Sequence, residues 1–195
     1  MNPLLFEPWE GPRYGKTSYG RLLILGDSHY FFHTETNYAS FTQRMIGGLG
    51  SAEDNNFYLK VGQVFDPADY RTIWPNVAFA NAIQHPFREA QPAVTREHLR
   101  TVEPAVRAYL EWTRPSKMIV FSSRVWNRGL PARWGKKIET LHDSVFGHRA
   151  TVWEFDHAGG ACYGIGVHHP SSRRPPFKPD EWRPLINQFL EKKYE

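Results

Sequence analysis

The feature that most limits the fold is the run Arg21 to Leu25 (RLLIL), four consecutive aliphatic side chains closed by Gly26. A strand with one wet face alternates apolar and polar positions, so an unbroken run reads as a strand covered on both faces, as in a parallel sheet. Two more such runs occur, Asn76 to Ile83 (NVAFANAI) and Lys117 to Ser122 (KMIVFS). Between them, Thr95 to Trp112 carries Leu99, Val102, Val106, Leu110 and Trp112 at roughly the helical period. Thr95 with Glu97 predicts its start, and Pro104 predicts a kink or the true first turn. Further strands are predicted over Ala150 to Phe155 and Cys162 to Val167, separated by the turn-forming Asp156 to Gly160 (DHAGG). Asp180 to Lys192 predicts a closing amphipathic helix that begins after Pro184. Residues 1 to 20, rich in Pro, Gly and aromatic side chains, predict an irregular arm packed on the domain. Residues 31 to 75 show no readable period, and Gly47, Gly48 and Gly50 suggest tight turns. Strands alternating with helices predict an α/β sandwich, one domain over residues 1–195, with its site in loops at the strand C-terminal ends.

The composition narrows the chemistry. With 195 residues, 41% hydrophobic and 15% aromatic, the chain can bury one core. No apolar run approaches the roughly 18 residues of a membrane helix, and the first twenty positions lack the pattern of a signal peptide. The expected location is therefore cytoplasmic, with no membrane partner. Cys162 is the only cysteine, which excludes an internal disulfide and any site built on several thiolates, whether zinc or iron–sulfur. The net charge of +4 and pI of 9.2 suit a partner with phosphates without selecting one.

Three polar clusters stand where apolar runs end. Gly26-Asp27-Ser28-His29-Tyr30 follows the first run, where backbone N–H groups and side chains can converge on a ligand; Asp27 or Ser28 would equally serve as a helix cap. Asn81-Ala82-Ile83-Gln84-His85-Pro86 follows the second. Asparagine in an apolar run is costly unless its amide is paired, so Asn81 either holds a turn or reads a ligand. The third cluster, His168-His169-Pro170-Ser171-Ser172-Arg173-Arg174, leaves the Cys162 to Val167 strand with a histidine, two serines and two arginines together.

In order and character these motifs resemble the uracil-DNA glycosylase superfamily: a glycine-led motif after the first strand, a strand ending in asparagine (FANAI), an aliphatic strand (MIVFS) and a closing His169-Pro170-Ser171. The match spans residues 21 to 174. The resemblance implies a three-layer α/β/α sandwich around a short, mainly parallel central sheet. The implied activity is hydrolysis of an N-glycosidic bond in uracil-containing DNA, single- or double-stranded, by a monomeric base-flipping enzyme with no cofactor and no metal. Asn81 would read the base edge, with Gly26, His29 and Tyr30 around the base and Phe41 as the stacking ring. His169 would donate to the charge developing on the departing base. Ser171, Ser172, Arg173 and Arg174, with Lys178, would hold DNA phosphates. The best-known members have an aspartate two positions after the glycine, where this chain has Ser28; Asp27 matches the acidic residue of the iron–sulfur members, so water activation falls to Asp27. His29 stands where proline is usual, and related members act on other deaminated bases.

Three other readings compete. Gly26-Asp27-Ser28 also resembles the nucleophile block of SGNH-type esterases, with Ser28 attacking an acyl carbonyl, although the aspartate expected three residues before the late histidine is absent: Ile165 and Gly166 stand there. His29 and His33 would share a helix face as metal ligands but lack a third partner. A non-catalytic nucleic-acid-binding domain would keep the arginines and need neither Asp27 nor His169.

Overall fold

The computed structural model describes residues 3–30, 37–49, 56–88, 93–130, 134–172 and 175–194. Its strands are β1 (Trp9–Glu10), β2 (Leu22–Gly26), β3 (Ala78–Asn81), β4 (Lys117–Phe121), β5 (Lys136–His142), β6 (Arg149–His157) and β7 (Gly160–Val167). Its helices are α1 (Phe41–Gly47), α2 (Asn56–Phe65), α3 (Arg96–Arg100), α4 (Val102–Thr113), α5 (Ser123–Gly129) and α6 (Pro179–Glu191).

The strands form a single mixed sheet in the order β1-β3-β2-β4-β7-β6-β5. The centre, β3-β2-β4-β7, is parallel, while the β1–β3, β7–β6 and β6–β5 pairings are antiparallel. The expectation of a short, mainly parallel sheet is corrected accordingly: among the described residues it has seven strands and as many antiparallel pairings as parallel ones. The reason is local. The DHAGG turn folds β6 directly back on β7, and a tight hairpin can join only antiparallel strands.

Burial on both faces explains the unbroken central runs. In β2, Leu22 and Ile24 join Tyr58, Val61 and Val64 of α2 and Leu185, Ile186 and Phe189 of α6 on one side of the sheet. Leu23 and Leu25 join Val102, Val106, Tyr109 and Leu110 of α4 and Val125 and Trp126 of α5 on the other. Successive strand residues point to opposite faces, so both sets must be apolar.

Four local expectations are revised. The 95–112 helix is two helices: Thr95 caps α3, accepting from the His98 N–H while His98 Nδ1 accepts from the Thr95 N–H, and α4 starts afresh at Val102. Pro104 sits in its first turn, where no intrahelical N–H bond is lost. Trp112 is 48% exposed, because it follows Leu110 by two residues and so faces the opposite way round the helix. α6 begins at Pro179 and keeps Pro184 inside. Its first turns are held by Arg183, which donates to the carbonyls of Gln63 and Val64 at 2.8 and 2.9 Å. Finally, the amino-terminal arm contributes β1 to the sheet edge and the fully buried Phe6 to the interior. The Gln84 side chain clamps this arm: Oε1 accepts from the N–H groups of Leu5 and Phe6 (2.8 and 3.0 Å), while Nε2 donates to the Asn81 carbonyl at 2.9 Å and to Tyr109 Oη at 2.7 Å. Tyr109 in turn donates to the Phe6 carbonyl at 2.9 Å. No helix among the described residues is long and apolar enough to cross a membrane.

Candidate active site

The four parallel strands end on the same side of the sheet, and each delivers a polar residue there. Gly26 and Asn81, the last residues of β2 and β3, are register partners. β4 runs into Ser122, the N-cap of α5, whose hydroxyl accepts from the Val125 N–H. β7 ends at Val167, two residues before His169.

Gly26 is required here by space. A Cβ at this position would lie 2.1 Å from Asn81 Oδ1 and 3.1 Å from Phe57 Cζ. Gly26→Ala must therefore push the Asn81 amide aside; it is expected to lower stability by about 1–3 kcal/mol in urea unfolding. Unchanged stability would mean that Asn81 is not held as described.

Asp27 is buried, and one of its carboxylate oxygens is fully engaged. Oδ2 accepts from Ser122 Oγ at 3.1 Å and from Arg124 Nε and Nη2 at 3.2 and 2.6 Å. Oδ1 is buried with no partner among the described residues. A carboxylate fixed through one oxygen and unsatisfied at the other is suited to orient a small donor such as water.

His29 is a buried positioning residue. Asn81 Nδ2 can only donate, so His29 Nδ1 accepts from it at 3.0 Å, and the proton on Nε2 is donated to Thr42 Oγ1, also at 3.0 Å. Burial pushes its pKa from 6.5 down to about 3. Because the folded pKa lies below the unfolded one, this residue's contribution to stability is complete above pH 6.5 and is lost as pH falls towards 3. By about pH 5 the loss is on the order of 2 kcal/mol. Urea unfolding at several pH values checks this: His29→Asn should flatten the acid slope.

His169 is fixed by its own loop. Nδ1 accepts from the Ser171 N–H at 3.1 Å, which leaves the proton of the neutral ring on Nε2. Its pKa is lowered, first by burial; the charge of Asp27 opposes that shift and the charge of Arg124 adds to it, so the three groups share one electrostatic environment. Phe57 of α2 stands beside His169 with ring centroids 5.4 Å apart. Lys60, one turn further along α2, donates to the Pro170 carbonyl at 3.0 Å and ties down the loop.

The remaining predicted residues divide. Ser28 is buried, and its Oγ has no partner among the described residues, so no histidine there stands ready to deprotonate it. Tyr30 forms an isolated bridge with Phe87 at the margin of the site. Phe41 directs its ring edge-on to His29 at 4.9 Å, while the ring next to Gly26 and His169 is that of Phe57. Ser171 is exposed, and Ser172 Oγ donates to the Pro175 carbonyl at 2.9 Å. Lys178 pairs with Glu181 at 2.7 Å. His168 turns away, its ring 5.1 Å from that of Trp182. Arg173, Arg174, His33 and Gly50 lie outside the described residues.

Arg124, Ser122, Phe57 and Thr42 were not singled out from the sequence. Ser122 had a usable signal, a serine directly after a buried run and before a helix. No family model matches the sequence, and no curated protein matches it.

Proposed function

We propose that the chain is a DNA glycosylase that hydrolyses the N-glycosidic bond of uracil, or of another deaminated base, extruded from DNA. The observation that carries this reading is the convergence at the parallel strand ends of Asp27, the Asn81 amide and His169, with Asp27 Oδ1 and the His169 Nε2–H unpartnered among the described residues. On this reading the helices on the two faces of the sheet are the outer layers of an α/β/α sandwich.

Asn81 keeps Oδ1 to accept from the base edge, while His29 fixes its amide orientation. Asp27 Oδ1 orients the attacking water and takes its proton as the water oxygen bonds to the anomeric carbon. The electron pair of the broken glycosidic bond leaves with the base, and the His169 Nε2–H donates to the oxygen on which that charge develops. A neutral ring is suited to this because its hydrogen bond strengthens as the anion forms. The unpartnered Ser28 hydroxyl gives the esterase reading a nucleophile without a base.

The test is a fluorescently labelled uracil-containing oligonucleotide, incubated with the protein and treated with alkali. Strand cleavage is expected. Intact strand across a range of salt concentrations removes uracil as the substrate, and hydrolysis of a chromogenic acyl ester that Ser28→Ala abolishes would favour the esterase.

A further inference from the structure

Beside the candidate active site lies an open cleft. Gly166 of β7 has no side chain, and the Trp126 ring of α5 occupies the place where its Cβ would be, 2.1 Å from the ring Cγ. The indole therefore lies directly on the strand backbone. Between α5 and the neighbouring ends of β6 and β7 an open cleft of about 430 Å³ remains, within the range of about 300–1,000 Å³ usual for small-ligand sites. The half-buried Trp153 supplies aromatic surface above a floor made by the buried Trp126 and Trp182, and Ser123, Asn127 and Arg149 supply polar groups.

These polar groups are uncommitted. Arg149 is exposed and makes no ion pair among the described residues, and the side chains of Ser123 and Asn127 have no hydrogen-bond partner among them. Aromatic walls, an amide with both donors and an acceptor, and a free guanidinium at the rim match a planar heteroaromatic ring attached to a phosphate. The place is equally informative. Ser123 lies between Ser122 and Arg124, the two ligands of the Asp27 carboxylate, and His168, which also lines the cleft, precedes His169. An occupant of the cleft is thus a neighbour of whatever occupies the candidate active site.

We propose that this cleft holds a second nucleobase of the same DNA strand, next to the extruded one, with Asn127 on its edge and Arg149 on the phosphate. This rests on the glycosylase reading and narrows its substrate. A neighbouring base that must leave the stack favours single-stranded DNA, because a duplex adds the cost of unpairing that base.

The experiment is titration of the full chain with pentathymidylate, which contains no uracil, followed by tryptophan fluorescence. Saturable quenching is expected, with affinity about ten-fold weaker for a strand of the same length made of abasic residues. Asn127→Ala and Arg149→Gln, both at exposed positions, should each weaken binding, the second also flattening its salt dependence. Equal affinity for base-bearing and abasic strands, or wild-type affinity in both variants, overturns the proposal. Thymidine monophosphate binding as tightly as the strand overturns the assignment to a strand and leaves a free-nucleotide site. Uracil excision is measured separately on the wild type. Cleft-dependent binding without excision of uracil or of any other deaminated base overturns the glycosylase reading and keeps the cleft, whereas excision with cleft-independent binding overturns the cleft and keeps the glycosylase.

Discussion

On the proposed glycosylase reading, replacing His169 by alanine is expected to lower the single-turnover rate of base release by about 100- to 1,000-fold, with DNA affinity within a few-fold of wild type. The asymmetry follows from the geometry. The ring sits in a loop fixed by the Ser171 N–H and by Lys60 on the Pro170 carbonyl, so its Nε2–H is held in place before substrate arrives. A donor held in this way contributes most when the base carries full charge and little when it is neutral, so its loss falls on kcat rather than on binding. The pH profile provides a second readout. Because burial lowers the His169 pKa, the wild-type rate should hold through neutrality and drop only at acid pH, as the ring becomes charged. Equal losses in rate and affinity would show that His169 acts on the bound strand rather than on the leaving group.

The second large effect belongs to Arg124. Arg124→Met removes two of the three donors to Asp27 Oδ2 and leaves a carboxylate, 6% exposed at its side chain, with Ser122 alone. Breaking a buried pair from one side is far more costly than replacing both partners, about 3–5 kcal/mol; the arginine is 34% exposed, so the expected loss is about 3 kcal/mol. Asp27→Asn should behave differently. The guanidinium can turn to solvent, so stability changes less while the water activation proposed for Asp27 is lost. Guanidinium-chloride unfolding beside an excision assay separates the two: the first variant should fail mainly in stability, the second mainly in activity. Equal stability of the two variants would mean that the ion pair does not hold the end of β2.

The residues legible in the sequence were those whose environment is written locally. The runs at Leu22, Ala78 and Met118 are apolar at every position because helices cover both faces, and no surface segment imitates that. Asp27, Asn81 and His169 stood out because each interrupts or follows such a run. β5 was invisible because only Leu141 of its seven residues is buried, so KKIETLH carries no alternation to read. α2 lies in the stretch that showed no readable period, and its Gly62 is demanded by contact: a Cβ there would lie 2.1 Å from the Tyr70 carbonyl oxygen. Arg124 was out of reach for a different reason. It sits among surface-like residues, and its partner lies 97 positions earlier, a pairing that exists only once β2 and β4 are side by side.

The Gln84 clamp ties the arm before β1 to the end of β3. One side chain spans the backbone of Leu5 and Phe6 and the carbonyl of Asn81, so the strand tip proposed to sense the base is braced by some of the first residues of the chain. Proteolytic trimming through Phe6 would remove a fully buried ring that packs on His29 and Phe41, and would unmoor Asn81 from behind. A protein shortened in this way should melt at a lower temperature and, on the glycosylase reading, discriminate poorly between bases.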